Sequence, residues 1–375
     1  MKIGYLIEYF YPHHGGAENN CYYLAKELAK KHEVHIFTSQ LNNTKRYEVI
    51  NNIHIHRYRT LLRYKYYLSI TPGLIEILNY KLDILHTHSF GFLYHDFLIL
   101  LKKLSNSTRL INTPHGPFMA LNSYNFPKRI FKKIVENLEK PINNLYDRII
   151  QVNPYQYKWM KRIRIKKDKV IFIPNGIDEE IFKKTKIKLN FEAKLKDKKI
   201  ISYVGRSDRY KGLDQIIRIL PFFKDIVLVI VGEDVGDKKR LELISRKLKI
   251  ESRVIFTGRL SEEKKLRVLA ISTIFILPSE WEAFGISMLE AMSQGNIIIS
   301  TKTEGGKFLI KENENGFLYD FNNIEQLKEK INLILKNKKL QEKIKINNIK
   351  KAKQFLWKNI AKDLEKVYLN IISQR

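Results

Sequence analysis

At 375 residues, 44% of them hydrophobic and 29% charged, the chain exceeds the usual size of one core and predicts two packed domains. A lone cysteine, Cys21, excludes a disulfide framework and an all-cysteine metal site, and fits a reducing compartment. The formal charge of +29, from 68 Lys+Arg against 39 Asp+Glu, favours an anionic partner, a membrane surface before a nucleic acid, beside the plainer reading of lysines solvated everywhere.

The chain opens on Lys2–Ile7, an apolar run too short for a signal peptide and read as a first strand. No run approaches the roughly 18–20 apolar residues of a membrane span. The expectation is a cytoplasmic protein that meets a membrane only from its inner surface. Pro12-His13-His14-Gly15-Gly16-Ala17-Glu18 follows and opens a helix striped with Cys21, Leu24, Ala25 and Leu28. Two glycines let a ligand approach the backbone, and a helix N-terminus offers unpaired N–H groups. An ordinary tight turn is the bland alternative.

Short apolar runs then alternate with helical stretches, as βαβ units do. The strands expected are Val34–Phe37, Ile84–His86, Leu110–Asn112, Ile149–Val152 and Val170–Ile173, with His54 and His56 alternating along a further one. The lysine-rich stretch 179–199 reads as a linker. Alternation resumes with Ile200–Val204, Val227–Val231, Val254–Phe256, Ile274–Leu277 and Ile297–Ser300, and after Phe317-Leu318-Tyr319 the sequence reads as helical to the end. The boundaries expected are 1–178, 179–199 and 200–354. Both halves read as Rossmann-like α/β domains facing one another, with ligands outside the carboxyl ends of their strands.

Two segments after strands carry chemistry. Gly205-Arg206-Ser207-Asp208-Arg209-Tyr210-Lys211-Gly212 places a guanidinium and an ammonium on a strand-to-helix turn, which suits a pyrophosphate. Pro278-Ser279-Glu280-Trp281-Glu282-Ala283-Phe284-Gly285 leads into a helix that carries Glu290. Carboxylates accept paired hydrogen bonds from vicinal hydroxyls, so Glu282 and Glu290 can grip a sugar and a ribose. Each pair alone could equally be solvated decoration.

Taken together, Glu282 and Glu290 with seven residues between them, Pro278-Ser279 before and Phe284-Gly285 within the interval, resemble the signature of the family-4 retaining glycosyltransferases (glycosyl transferases group 1). Gly15-Gly16-Ala17-Glu18, Asp83–His88, Thr113-Pro114-His115-Gly116, Pro174–Asp178, Val204–Arg206, Val231–Glu233 and Phe256–Gly258 resemble further family segments in order. The resemblance implies a GT-B fold, two facing Rossmann-like domains with parallel sheets and an interdomain cleft, with a C-terminal helix (about 355–375) packed back on the first domain. It implies Arg206 and Lys211 on the donor diphosphate, Glu290 on the ribose and Glu282 on the donor sugar, with His115 beside the transferring sugar. Gly16, Gly205, Gly258, Arg259, Leu260, Phe284 and Gly285 would meet the donor, and Gly15 and Glu18 the acceptor side. Gly305-Gly306 resemble a further family glycine loop.

The activity so implied is retaining, metal-independent transfer of a hexose, glucose or mannose favoured, from a UDP- or GDP-sugar to a lipid-linked or glycan acceptor. The nucleotide-sugar is a substrate, and no cofactor is expected. Neither His13/His14 nor His86/His88 has a matching second set at ligand spacing, so no metal is expected. A sugar-nucleotide epimerase or phosphorylase on the same fold is the alternative. A nucleic-acid binder is a distant one, because no zinc module, helix-turn-helix or aromatic–glycine pattern is present.

Between Pro127 and Lys167 stand 12 Lys/Arg against 3 Asp/Glu. Ile130, Phe131, Ile134, Val135 and Leu138 there form an apolar helix face beside Lys128, Arg129, Lys132 and Lys133. The simpler reading packs that face on the sheet; the other lays it on an anionic membrane, with Arg57–Tyr67 as a second contact.

Overall fold

The computed structural model describes residues 1–13, 15–64, 68–105, 107–115, 126–183 and 185–374, the side chains at 64, 68, 128 and 194 excepted. His14, Gly116, residues 65–67 and the Lys128 side chain, all singled out above, therefore lie outside the described residues. The chain divides into two compact units: Met1–Gly176 with Trp357–Arg375, and Ile177–Leu356.

The first unit is built on the strands β1 (Lys2–Leu6), β2 (Glu33–Ser39), β3 (Tyr47–Ile50), β4 (Ile53–Tyr58), β7 (Ile84–Thr87), β8 (Arg109–Asn112), β9 (Arg148–Gln151) and β10 (Val170–Phe172), with a hairpin of β5 (Leu62–Tyr64) and β6 (Leu68–Ile70) beside it. The sheet order is β10-β9-β8-β7-β1-β2-β4-β3, parallel throughout except β3 against β4. Its helices are α1 (Gly16–Leu28), α2 (Leu93–Ser105), α3 (Phe126–Asn143) and the short α4 (Tyr157–Met160), joined by the chain's last helix, Trp357–Ser373.

Alternation along the strands sorts the core by face. Ile3 and Tyr5 point into a cluster with Cys21, Leu24 and Leu28 of α1 and with Trp357, Ile360, Leu364 and Tyr368 of the last helix. Leu6, Leu85, Leu110 and Ile149 point into another, with Leu98 and Ile99 of α2 and Val135 of α3. Burial of both faces explains why the central strands read as unbroken apolar runs.

The second unit carries β11 (Lys199–Val204), β12 (Ile226–Val231), β13 (Val254–Gly258), β14 (Ile274–Leu277), β15 (Ile297–Thr301) and β16 (Gly316–Tyr319) in the order β13-β12-β11-β14-β15-β16, all parallel. Its helices are α5 (Asp214–Ile219), α6 (Lys238–Lys247), α7 (Glu262–Ile271), α8 (Ile286–Ser293), α9 (Glu304–Leu309), α10 (Ile324–Lys336) and α11 (Lys338–Ala352). Among the described residues no helix is long and apolar enough to cross a membrane.

Two expectations fail. The 179–199 stretch is part of the second unit rather than a linker: Leu189 and Leu195 are buried with Ile200, Val227 and Val229. Its lysines hid two anchoring leucines. Most of the apolar face of α3 does not pack on the sheet. Val135 is 2% exposed, but Ile134 is 51% exposed, and Ile130, Phe131 and Leu138 are exposed with it. Lys132 and Glu139 turn inward instead, Lys132 paired with Glu136 at 3.4 Å and Glu139 accepting the Gly91 N–H. Bonding of these buried polar groups lets a polar side face the core.

Candidate active site

In the second unit the sheet order reverses between β11 and β14, since β11 is followed outward by β12 and β13, and β14 by β15 and β16. Such a switch point splays the two succeeding loops and leaves a crevice at the strand ends. The two chemistry-bearing segments of the sequence are those loops. They are tied together: the Glu280 N–H donates to the Tyr210 carbonyl at 2.8 Å, and Gln215 Nε2 donates to the Pro278 carbonyl at 2.9 Å.

Lys211 Nζ lies 2.8 Å from Glu282 Oε2 in a largely buried ion pair. Burial opposes the lysine's charge, but the Glu282 carboxylate and the Tyr210 and Tyr203 hydroxyls outweigh it and raise its pKa above the ordinary lysine value. Beneath it the Tyr203 hydroxyl donates to the Arg206 carbonyl at 2.9 Å. Burial pushes that hydroxyl up, while Lys211 and Arg206 pull it down, so both cations lie within electrostatic reach of it. Gly205 sits at φ +156°, and a Cβ on Gly232 would fall 2.0 Å from its carbonyl oxygen; only glycines permit this approach.

Gly285 caps α8 at φ +83°, in the left-handed region that favours glycine, and turns the chain from Glu282 into the helix. The Gly305 N–H donates to the Glu282 carbonyl at 2.9 Å, and a Cβ on Gly305 would meet the Phe284 carbonyl oxygen at 2.4 Å. Gly305 and Gly306, expected in a loop, instead form the first turn of α9, and that turn packs against the Glu282 backbone. Phe284 itself is buried against Phe308 and Phe355, so its ring packs the core and its backbone borders the first turn of α9.

Glu290 stands in the second turn of α8, bonded by Lys265 Nζ at 2.9 Å, and Lys265 also meets Glu262 at 2.7 Å. Burial opposes the Lys265 charge, yet Glu290 and Glu262 raise its pKa above the ordinary value. Gly258 ends β13, and Arg259 and Leu260 lead on to α7, which carries Lys265; Arg259 is exposed and Leu260 packs on the core. Lys265 was missed in the sequence because it sits in the charged run Glu262-Glu263-Lys264-Lys265, where one lysine looks like the next.

In the first unit the order reverses between β7 and β1. After β1, Gly15 precedes α1 in extended conformation, and Glu18 is buried with His13 Nδ1 at 3.5 Å. Asn20 of α1 donates to Asn175 at 2.6 Å, joining that helix to the chain that follows β10. At the ends of β7 and β8, His88 Nδ1 and His115 Nε2 share a hydrogen bond of 2.8 Å. His86 bonds Thr113 Oγ1 at 2.7 Å and the Tyr368 hydroxyl at 2.6 Å. Burial lowers the His115 pKa to about 4 although Glu18 pulls the other way, and burial also lowers His86 and His88. The cluster is therefore neutral at physiological pH, and His115 lies within electrostatic reach of Glu18.

A family model described as Glycosyltransferase Family 4 matches residues 14–181, and one described as Glycosyl transferases group 1 matches residues 185–351. The N-acetyl-alpha-D-glucosaminyl L-malate synthase of Bacillus anthracis is 24% identical, over 99% of this chain and 97% of its own. Sucrose-phosphate synthase of Thermosynechococcus elongatus superposes over 100% of both chains with a TM-score of 0.84 at 21% identity. The Anabaena protein HepE, in complex with UDP-glucose, covers 99% of this chain and 100% of its own with a TM-score of 0.79 at 18% identity. The two parallel-sheet units are those of the GT-B architecture, and the chain belongs to the family-4, or group 1, glycosyltransferases.

Proposed function

We propose that this glycosyltransferase moves a hexose, with retention of configuration and without a metal ion, from a UDP- or GDP-sugar to a lipid-linked or glycan acceptor at a membrane surface. The observation that carries the donor reading is the Lys211–Glu282 pair at the switch point, on loops bonded to each other and flanked by Arg206. Glucose or mannose is the sugar favoured, and UDP-glucose in the complex of HepE supports a UDP donor.

In this reading the Lys211 ammonium and Arg206 guanidinium neutralise the diphosphate as the bond from the anomeric carbon to its phosphate oxygen breaks. Glu282 accepts hydrogen bonds from the sugar and Glu290 from the ribose. The acceptor oxygen bonds to the anomeric carbon on the face the diphosphate leaves, and its proton passes to a leaving-group phosphate oxygen. His115, kept neutral by burial, offers the sugar a hydrogen bond without adding charge.

The test is a thermal-shift screen with UDP, GDP and their hexose conjugates, followed by detection of the transferred sugar. One nucleotide should raise the melting temperature by mass action, and its hexose conjugate should release free nucleoside diphosphate when acceptor is added. Failure of every conjugate to shift the melting temperature overturns the donor reading. An isomerised donor without transfer overturns the reaction.

A further inference from the structure

Helices α2 and α3 lie on one face of the first unit's sheet, since Leu98, Ile99 and Val135 share a buried cluster with Leu85, Leu110 and Ile149. With both inner sides committed to the same sheet, their outer sides face the same way. On α2 the outer side carries Leu93, Phe97, Leu100 and Leu104 at successive turns, all exposed, Leu104 to 77%. On α3 it carries Phe126, Ile130, Ile134 and Leu138 at every fourth position, all exposed, Phe126 to 76%. The β5–β6 hairpin packs on α2 through β6 and adds exposed Leu62 and Ile70. Single apolar residues on a surface are ordinary, but a strip across three adjoining elements marks an interaction site.

The border of the strip says what it meets. Lys133 is exposed on α3, and the turn Lys161–Ile163, packed against α3, presents Lys161 and Arg162, with Arg164 exposed just beyond. The segment from Pro127 to Lys167 holds 12 Lys/Arg against 3 Asp/Glu. An apolar strip edged with cations complements acyl chains edged with anionic headgroups. A second copy of this chain would bring two basic borders together, and a nucleic acid would leave the leucines in water.

We infer that the outer face of α2, α3 and the β5–β6 hairpin seats the first unit on an anionic lipid bilayer. The inference deepens the proposed function, from which it takes its purpose (bringing the enzyme to a lipid-linked acceptor), while its evidence is independent of the donor site.

The test sediments the full chain with vesicles of phosphatidylcholine alone and with phosphatidylglycerol added, at low and high salt. Binding should need the anionic lipid and weaken about tenfold or more at high salt. The pair Phe97→Ser with Ile134→Ser should lose about tenfold or more in vesicle affinity at low salt, with melting temperature and nucleotide-induced shift unchanged because both side chains are exposed. Equal partition into both vesicle types, no binding, or variant binding equal to that of the unaltered chain overturns the inference. So does a lipid-free dimer that the same two substitutions dissociate. Vesicle binding without any nucleotide-induced shift supports this surface and overturns the donor reading alone.

Discussion

Lys265 reaches from α7 to within 2.9 Å of Glu290 on α8, two acid–base partners 25 residues apart in the chain. Both side chains are largely buried, so the lysine holds the carboxylate in one orientation. Replacing Lys265 by Met should cost about 1.5–3 kcal/mol of stability, the range for a hydrogen bond to a charged group. Lys265→Met should also shrink the nucleotide-induced thermal shift. Adding Glu290→Gln should recover part of the stability but none of the shift. Urea unfolding and nucleotide titration of the two variants separate these effects, and an unchanged shift in Lys265→Met would show that Glu290 needs no such support.

Lys211 and Glu282 divide their work differently. Lys211→Met removes the charge that meets the leaving diphosphate, and transfer should slow by about 10²–10³, as for loss of one oxyanion-stabilising donor. Glu282→Gln keeps that charge but weakens the grip on the sugar. It should bind free nucleoside diphosphate as the unaltered chain does and lose the extra affinity for the sugar conjugate. Isothermal titration with both ligands checks this, and equal loss for both would remove Glu282 from the sugar's side.

The first unit should be acid-sensitive well above the range where carboxylates titrate. Burial lowers His56 to about 4, His86 to about 3 and His115 to about 4. A base with a depressed folded pKa resists a proton that the unfolded chain accepts, so stability is intact above about pH 6.5 and falls below it. Each such histidine contributes a slope of up to about 1.4 kcal/mol per pH unit until its folded pKa is reached. Urea unfolding between pH 7.5 and 5 should show a loss of at least about 2 kcal/mol, and a flat profile would contradict the buried neutral state.

Asp96 on α2 and Glu139 on α3 join the two helices through buried carboxyl groups. Burial, then the charge of Glu139, raises the Asp96 pKa, and burial also raises Glu139 although the Gly91 N–H offsets it. The sign is opposite to that of the histidines. As pH climbs from about 4 the unfolded chain releases protons that the folded pair retains, so this pair loses stability with rising pH. Asp96→Asn keeps a donor for Glu139 and removes the Asp96 share of that slope. The variant should gain on the unaltered chain between pH 6 and 8.5, by urea unfolding, and a constant difference would show that Asp96 is not held protonated in the folded chain.

Much of this molecule was legible as local pattern. The strands that centre on Val34–Phe37, Val227–Val231 and Ile274–Leu277 are found within two residues of their expected ends, because a strand covered on both faces is predominantly apolar. Gly205 and Gly285 stood out because a turn that leaves a strand needs backbone freedom only glycine has.

Partnership was not legible, because it depends on groups that meet only after folding. Nothing in Glu262-Glu263-Lys264-Lys265 marks the fourth residue as the one that grips Glu290, since helix phase and the packing of α7 on α8 decide it. The direction of α3 was hidden for the same reason. Its stripe of Ile130, Ile134 and Leu138 is a correct helical face, but a periodic pattern does not say which face the sheet receives. The Gly91 N–H waiting for Glu139, and the match of Val135 to the sheet, turned the polar side inward. Spacing alone determined where most of the core strands and the first helix lie; tertiary contact decided which charges pair and which leucines face outward, because burial energy is settled between elements and not along them.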